Sequence, residues 1–175
     1  MNDKTTWRIE KTQTEQLETV MQLYANARRF MAEHGNPNQW GSNFPTSELI
    51  EADIAAGDSY VCMVDGRIAA VFYHRAGFQC GVADDPDYER IEEGSWLNQD
   101  DYGVVHRITS DGQTKGVASY CLQWALEQCG NIKIDTYRDN VVMQNMLKKN
   151  GFSYCGLVYM EDGSERLAFQ KCLNT

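Results

Sequence analysis

The chain has 175 residues and 19.9 kDa, with 42% apolar and 23% charged side chains, a balance that excludes disordered and collagen-like proteins. The length suits a single domain (1–175, core about 7–172) that buries roughly 70% of its unfolded surface, so it needs no disulfide or metal staple. A net charge of −9 argues against nucleic acid as a partner, and it is unevenly held: residues 1–101 carry 18 Asp/Glu against 8 Lys/Arg, residues 102–175 carry 7 against 8.

The first residues, Met1 to Trp7, lack the apolar run of a secretion signal, and no stretch approaches the roughly 20 apolar residues of a membrane span. The expectation is a cytoplasmic protein without membrane contact. A short strand is predicted over 7–11. Thr12-x-x-Glu15 then reads as a capping box, and Leu17, Val20, Met21, Tyr24 and Met31 follow at helical spacing. Residues 35–45 are dense in turn formers. Thr46 or Ser47 caps a second helix ending near Gly57. Strands over 59–64 and 67–75 flank Asp65-Gly66, a type I′ hairpin signal.

Residues 76–101 are irregular and hold eight acidic residues against Arg90 alone; they read as a solvated loop with one strand over 88–92. Order returns with a strand from Tyr102 to Thr109, a loop to Gly116, and a helix carrying Val117, Cys121, Trp124 and Ala125 on one stripe. A strand over 132–137, a helix capped by Asp139 or Asn140 and closed by Asn150-Gly151, and a strand pair over 152–160 and 165–172 complete the chain. Alternation of strand and helix implies a mixed α/β sheet with crossovers. The six cysteines (Cys62, Cys80, Cys121, Cys129, Cys155, Cys172) form no Cys-x-x-Cys pair and no zinc-spaced cluster, so they read as reduced core thiols and no metal is expected.

The stretch Gln113-Thr-Lys-Gly-Val-Ala118 between strand and helix carries the chemistry. Such a loop leaves backbone N–H groups unpaired at the positive end of a helix dipole, which makes an anion site. Gly116 admits a phosphate close to the backbone and Lys115 adds a charge. An ordinary strand-to-helix turn is the alternative. Neither a Walker loop nor a dinucleotide fingerprint is present.

Gln113-x-x-Gly116-x-Ala118 resembles the Gln/Arg-x-x-Gly-x-Gly/Ala signature of the GNAT superfamily of acyl-CoA-dependent N-acetyltransferases. Asp139-Asn140 followed by Met146 to Gly151-Phe152 is similar to the family's second motif. The resemblance spans 7–172 and implies an α/β (α+β mixed) fold with a central, mostly antiparallel sheet flanked by helices. It implies acetyl-CoA as co-substrate, with pantetheine along Ile108, Thr109 and Ser110. The pyrophosphate would lie on the N–H groups of Gln113, Thr114, Lys115, Gly116, Val117 and Ala118. Asn140 and Asn145 would make further cofactor contacts, and Lys148 or Lys149 would reach the 3′-phosphate. Two departures stand out: a shortened loop with Thr114 in place of a common glycine, and Leu147 where the family often has an acidic tyrosine.

Acetyl transfer by direct attack in a ternary complex needs a deprotonated amine. The resemblance places His106 beside the thioester, and alternation puts it on one face with Val104 and Ile108, as base or as a core histidine. Asp135, Glu92 and Glu93 could act as bases through water. Tyr159 and Tyr154 are candidate acids. Tyr24, His34, Trp40, Phe44 and Trp96 are candidate acceptor contacts, joined by Glu93. The expected partner is a small primary amine, drawn as a cation by an acidic rim that includes Asp84, Asp85 and Asp87. A homodimer is compatible with the family. A non-catalytic acyl-CoA-binding module and a protein or peptide acetyltransferase are the alternatives.

Overall fold

A computed structural model describes residues 6–80 and 86–173, so Asp84 and Asp85 lie outside the described residues. The chain forms two compact units, residues 1–74 with 106–124 and residues 75–105 with 125–175. Seven strands lie in the order β1-β2-β3-β4-β5-β7-β6, and β3 and β4 each run through both units. Pairing is antiparallel for β1/β2, β2/β3, β5/β7 and β6/β7, and parallel for β4/β5, which gives the mixed, mostly antiparallel sheet that the sequence implies.

In the first unit, β1 (Trp7–Lys11) pairs with β2 (Ser59–Val64), which turns through Asp65 and Gly66 into β3 (Arg67–Phe78). Both turn residues have positive φ, 51° and 80°, as a type I′ hairpin requires. The first helix, α1 (Leu17–Glu33), starts from a 3-10 turn over Thr14–Gln16. The cap is one residue later than the sequence suggests: the Gln13 N–H donates to Gln16 Oε1. Thr12 is instead buried and shares a hydrogen bond with the Ser59 hydroxyl at 2.8 Å, because the core claims it first. The second helix, α2 (Ser47–Ala56), is capped by Thr46, which accepts from the Leu49 N–H, and closes on Gly57 in the left-handed conformation. One core cluster joins Val20, Leu23, Tyr24, Trp40, Ile50, Val61 and Val71.

In the second unit, the start of β4 (Tyr102–Ser110) pairs with β5 (Asn131–Thr136), β5 with β7 (Glu165–Cys172), and β7 with β6 (Ser153–Tyr159). The strand read over 88–92 is absent. Pro86 at a helical start and an acidic first turn favour a short helix, α3 (Pro86–Glu89). Pairing is confined to one bridge, Glu92 with Leu157, through two 2.8 Å hydrogen bonds. β3 also outlasts its expected end, since Phe78 stacks on Tyr102 at 5.5 Å. Helix α4 (Val117–Cys129) ends at Gly130, and α5 (Val141–Lys149) ends with the Phe152 N–H donating to Leu147 O. All six cysteines are free thiols. Among the described residues, no helix is long and apolar enough to cross a membrane.

The Glu92 bridge depends on Gly94, where a Cβ would stand 1.9 Å from Cys155 O. Gly94→Ala is therefore expected to lower unfolding free energy by about 3 kcal/mol in urea titration. Gly163→Ala, at φ +82° in an open turn, should lose only about 1 kcal/mol.

Candidate functional site

The loop between β4 and α4 starts with the Asp111 N–H donating to Ala69 O at 2.8 Å. Its carboxylate then turns back into the loop. Oδ1 accepts from the Gln113 and Thr114 N–H groups at 2.9 Å each, and Oδ2 accepts from the Thr114 hydroxyl and pairs with Arg67. Partial burial works against the charge, yet the two N–H donors, Arg67 and the Thr114 hydroxyl together hold the Asp111 carboxyl below the ordinary range. Two donors expected to face a phosphate, Gln113 and Thr114, are thus already capped from within. Among the described residues, the N–H groups of Lys115, Gly116 and Ala118 find no protein acceptor, whereas the Val117 N–H donates to Thr114 O at 3.4 Å. Gly112 and Gly116 have φ of 72° and 83°, and a Cβ on either would meet nothing within 4 Å, so the surface there is open. Lys115 is exposed beside it, and the buried Val117 side chain anchors the helix start. Of the six N–H groups expected to face a phosphate, three are open and three are taken from within the chain.

Upstream, β4 does not run as a regular strand. Arg107 has φ +51°, a left-handed residue inside a strand, with the geometry of a bulge. The alternation that would put His106 and Ile108 on one face therefore breaks between them. His106 is half-buried with its ring 5.6 Å from that of Tyr73. Arg107 lies over Tyr73 at 4.9 Å, and its Nη2 donates to Asp53 Oδ2 at 2.5 Å. Burial pushes the Asp53 carboxyl up, opposed by the charge and hydrogen bond of Arg107. Burial likewise drives the Tyr24 hydroxyl far above its usual value, with Arg107 opposing and Asp53 adding to it. Tyr24 is a core residue. Sequence reading missed Asp53, Tyr73 and Arg107; an arginine in an apolar strand was the available signal.

The aromatic candidates separate by environment. Trp40 is buried in the core, 5.7 Å from Tyr24 and 6.2 Å from Phe44, while Phe44 is 39% exposed. His34 stacks on Phe30 at the end of α1. In the second unit, Trp96 donates from Nε1 to Tyr88 O at 3.1 Å and lies 4.4 Å from the ammonium of Lys133. Lys133 is fully buried, with Tyr102 on another side at 3.9 Å. Trp96, Tyr88, Tyr102 and Cys80 line a cavity of about 350 Å³. Asp135 accepts from the Tyr88 hydroxyl at 2.5 Å and faces Arg166 at 3.7 Å; burial raises its pKa against both partners. It is engaged as a structural carboxylate.

Asn140 caps α5, its Oδ1 accepting from the Met143 N–H at 3.1 Å, whereas Asn145, Lys148 and Lys149 are exposed on that helix. Leu147 is fully buried, so a core side chain occupies the position where the family often has tyrosine. Tyr159, at the end of β6, is 40% exposed in a cleft of about 440 Å³ with Pro86, Arg90 and Glu92. Shielding from water, then the charges of Glu92, Glu165 and Glu93, push its phenol above the ordinary value. The fold thus brings Glu93 and Tyr159 together.

No family model and no curated protein matches the sequence. Solved structures do. The chain is 30% identical to a GNAT-family acetyltransferase from Streptococcus agalactiae, covering 97% of this chain and 96% of that one, with a TM-score of 0.84. A GNAT-family acetyltransferase from Listeria monocytogenes shares the fold at 18% identity, 95% coverage of both chains and a TM-score of 0.66. A chain of the NatC complex bound to Gag peptide and CoA shares it at 11% identity, covering 96% of this chain and 99% of that one, with a TM-score of 0.62.

Asp111→Ala should destabilise the protein by about 1–3 kcal/mol at pH 7, the loss expected when hydrogen bonds to a charged group are removed. The Asp111 pKa is lowered on folding, so its contribution is present above the ordinary Asp pKa of about 3.9 and is lost as pH falls through the lower folded value. The difference between native and variant melting temperatures should therefore shrink only in strong acid.

Proposed function

Because the chain belongs to the GNAT family of acetyltransferases, we propose that it transfers an acetyl group from acetyl-CoA to the nitrogen of a small primary amine by direct attack. The observation that carries this reading is the cradle at Gly116: open backbone N–H donors at Lys115, Gly116 and Ala118, aligned with the start of a 13-residue helix and flanked by a lysine. That donor set suits a pyrophosphate, since N–H groups and the helix dipole both favour negative charge. The CoA in the NatC complex, which shares the fold, supports acyl-CoA as the donor. Asp111 shapes the loop, and its pairing with Arg67 keeps a fixed carboxylate from standing uncompensated near a polyanion.

Acetyl-CoA supplies the thioester. The amine nitrogen bonds to the acetyl carbon, the carbon–sulfur bond breaks, the amine loses a proton and the departing sulfur gains one. His106 on β4 is the proposed proton acceptor, since an imidazole is the side chain suited to exchange a proton near neutral pH. Tyr159, whose phenol is protonated at neutral pH, is the proposed donor to sulfur. Phe44, with Trp40 packed behind it, is the proposed acceptor contact in the first unit. The acidic groups near Tyr159 favour a cationic acceptor. Free thiols and the absence of a membrane-spanning helix among the described residues fit a cytoplasmic enzyme.

Acetyl-CoA at about 100 times its dissociation constant should stabilise the protein by about 2.7 kcal/mol, read as a rise in melting temperature. Gly116→Val, forced to φ +83°, should largely abolish that rise, and no rise in the native protein overturns the reading. In a thiol-release screen over small amines, polyamines, amino acids and peptides, His106→Ala should lower kcat by about 10²–10⁴ and flatten its pH profile.

A further inference from the structure

We propose that Asp53 is a positioning residue for His106, an inference that rests on His106 as the proton acceptor. Among the described residues, Asp65, Glu93 and Arg107 are the non-glycine residues with positive φ, and of these only Arg107 lies inside a strand. A bulky residue keeps that conformation only where its surroundings over-determine it. Here they do so from two sides. Asp53 grips the guanidinium at 2.5 Å, and the Tyr73 ring supports it at 4.9 Å. Both members of the ion pair are largely withdrawn from water, at 15% and 11% side-chain exposure.

Asp53 is itself held firmly. It lies in the last turn of α2, and its carbonyl accepts from the Gly57 and Asp58 N–H groups as the helix closes. The order of support thus runs from the end of α2 to Asp53, to Arg107 and to Tyr73, whose ring is 5.6 Å from that of His106. Releasing Arg107 would let β4 relax from the left-handed residue, and the peptide joining His106 to Arg107 would rotate with it. The buried Arg107 Nε has no hydrogen-bond partner, so the guanidinium is held for its geometry and not for full satisfaction of its donors.

The test is NMR of the full chain, reading cross-relaxation between the His106 and Tyr73 rings, with thermal melts confirming that each variant folds. The native protein should show these cross-peaks. Asp53→Asn should largely lose them, and Asp53→Glu, which keeps the carboxylate, should restore them. If Asp53→Asn does not fold, Arg107→Gln takes its place, because it keeps the strain of a Cβ at φ +51° while losing the charge that Asp53 grips. Cross-peaks unchanged in a folded variant overturn the proposal. So does a failure of Asp53→Glu to restore them, since the loss would then follow from packing and not from the carboxylate. The acetyl-CoA melting shift of the native protein is read separately. Its absence overturns the acetyltransferase reading whatever the cross-peaks do, whereas its presence with unchanged cross-peaks overturns only the role of Asp53.

Discussion

The left-handed residue in β4 is the constraint on which the first unit depends. An L-residue in that conformation costs about 1–2 kcal/mol relative to an ordinary strand residue. An unsatisfied buried donor such as Arg107 Nε costs about 1–3 kcal/mol more. A fold retains such terms only when neighbouring contacts offset them, and here the Asp53 ion pair and the Tyr73 ring supply those contacts. Removing one member of a largely buried pair leaves the other charge stranded, so Asp53 and Arg107 are coupled more tightly than a surface pair could be. The strand that leads into the cradle is therefore shaped by side chains from α2 and β3, far away in sequence.

The cradle follows the same logic of internal compensation. A helix N-terminus with open donors attracts anions without discrimination. Asp111 occupies the Gln113 and Thr114 donors and leaves those of Lys115, Gly116 and Ala118. An internal carboxylate thereby decides which donors of the loop stay open. Arg67 pairs with that carboxylate from β3, so the short loop is ordered by its own side chains. Thr114, which replaces a common family glycine, has a clear use here: its hydroxyl donates to Asp111 and accepts from Arg67.

Much of this was legible in the sequence wherever local signals agreed with the fold. Asp65-Gly66, Thr46, Gly57 and Asn140 do what turn and cap chemistry predicts. Gly116 also marks its loop correctly. The failures have one physical character: distant partners overrode a local preference. Thr12 is drawn into the core by Ser59, which shifts the cap to Gln13. Pro86 and the Glu92–Leu157 bridge replace a strand over 88–92. The alternation placing His106 with Ile108 assumed a regular strand, and Arg107 breaks it for reasons that lie in Asp53 and Tyr73. Trp40 sits in a loop rich in turn formers, yet its ring is buried against Tyr24.

The charge of −9 also changes meaning once its carboxylates are placed. Asp53 is spent on Arg107, Asp111 on Arg67 and loop donors, and Asp135 on Tyr88 and Arg166. These acids hold the fold and contribute little to an external field. At the surface, Glu92 pairs with Arg90 and Glu165 with Arg138, and with Glu93 their charges add to shielding from water in raising the Tyr159 phenol. The phenol, already protonated at neutral pH with an ordinary value of about 10, becomes a weaker acid there. A substitution that removes one of these carboxylates must therefore bring the phenol back toward its ordinary value.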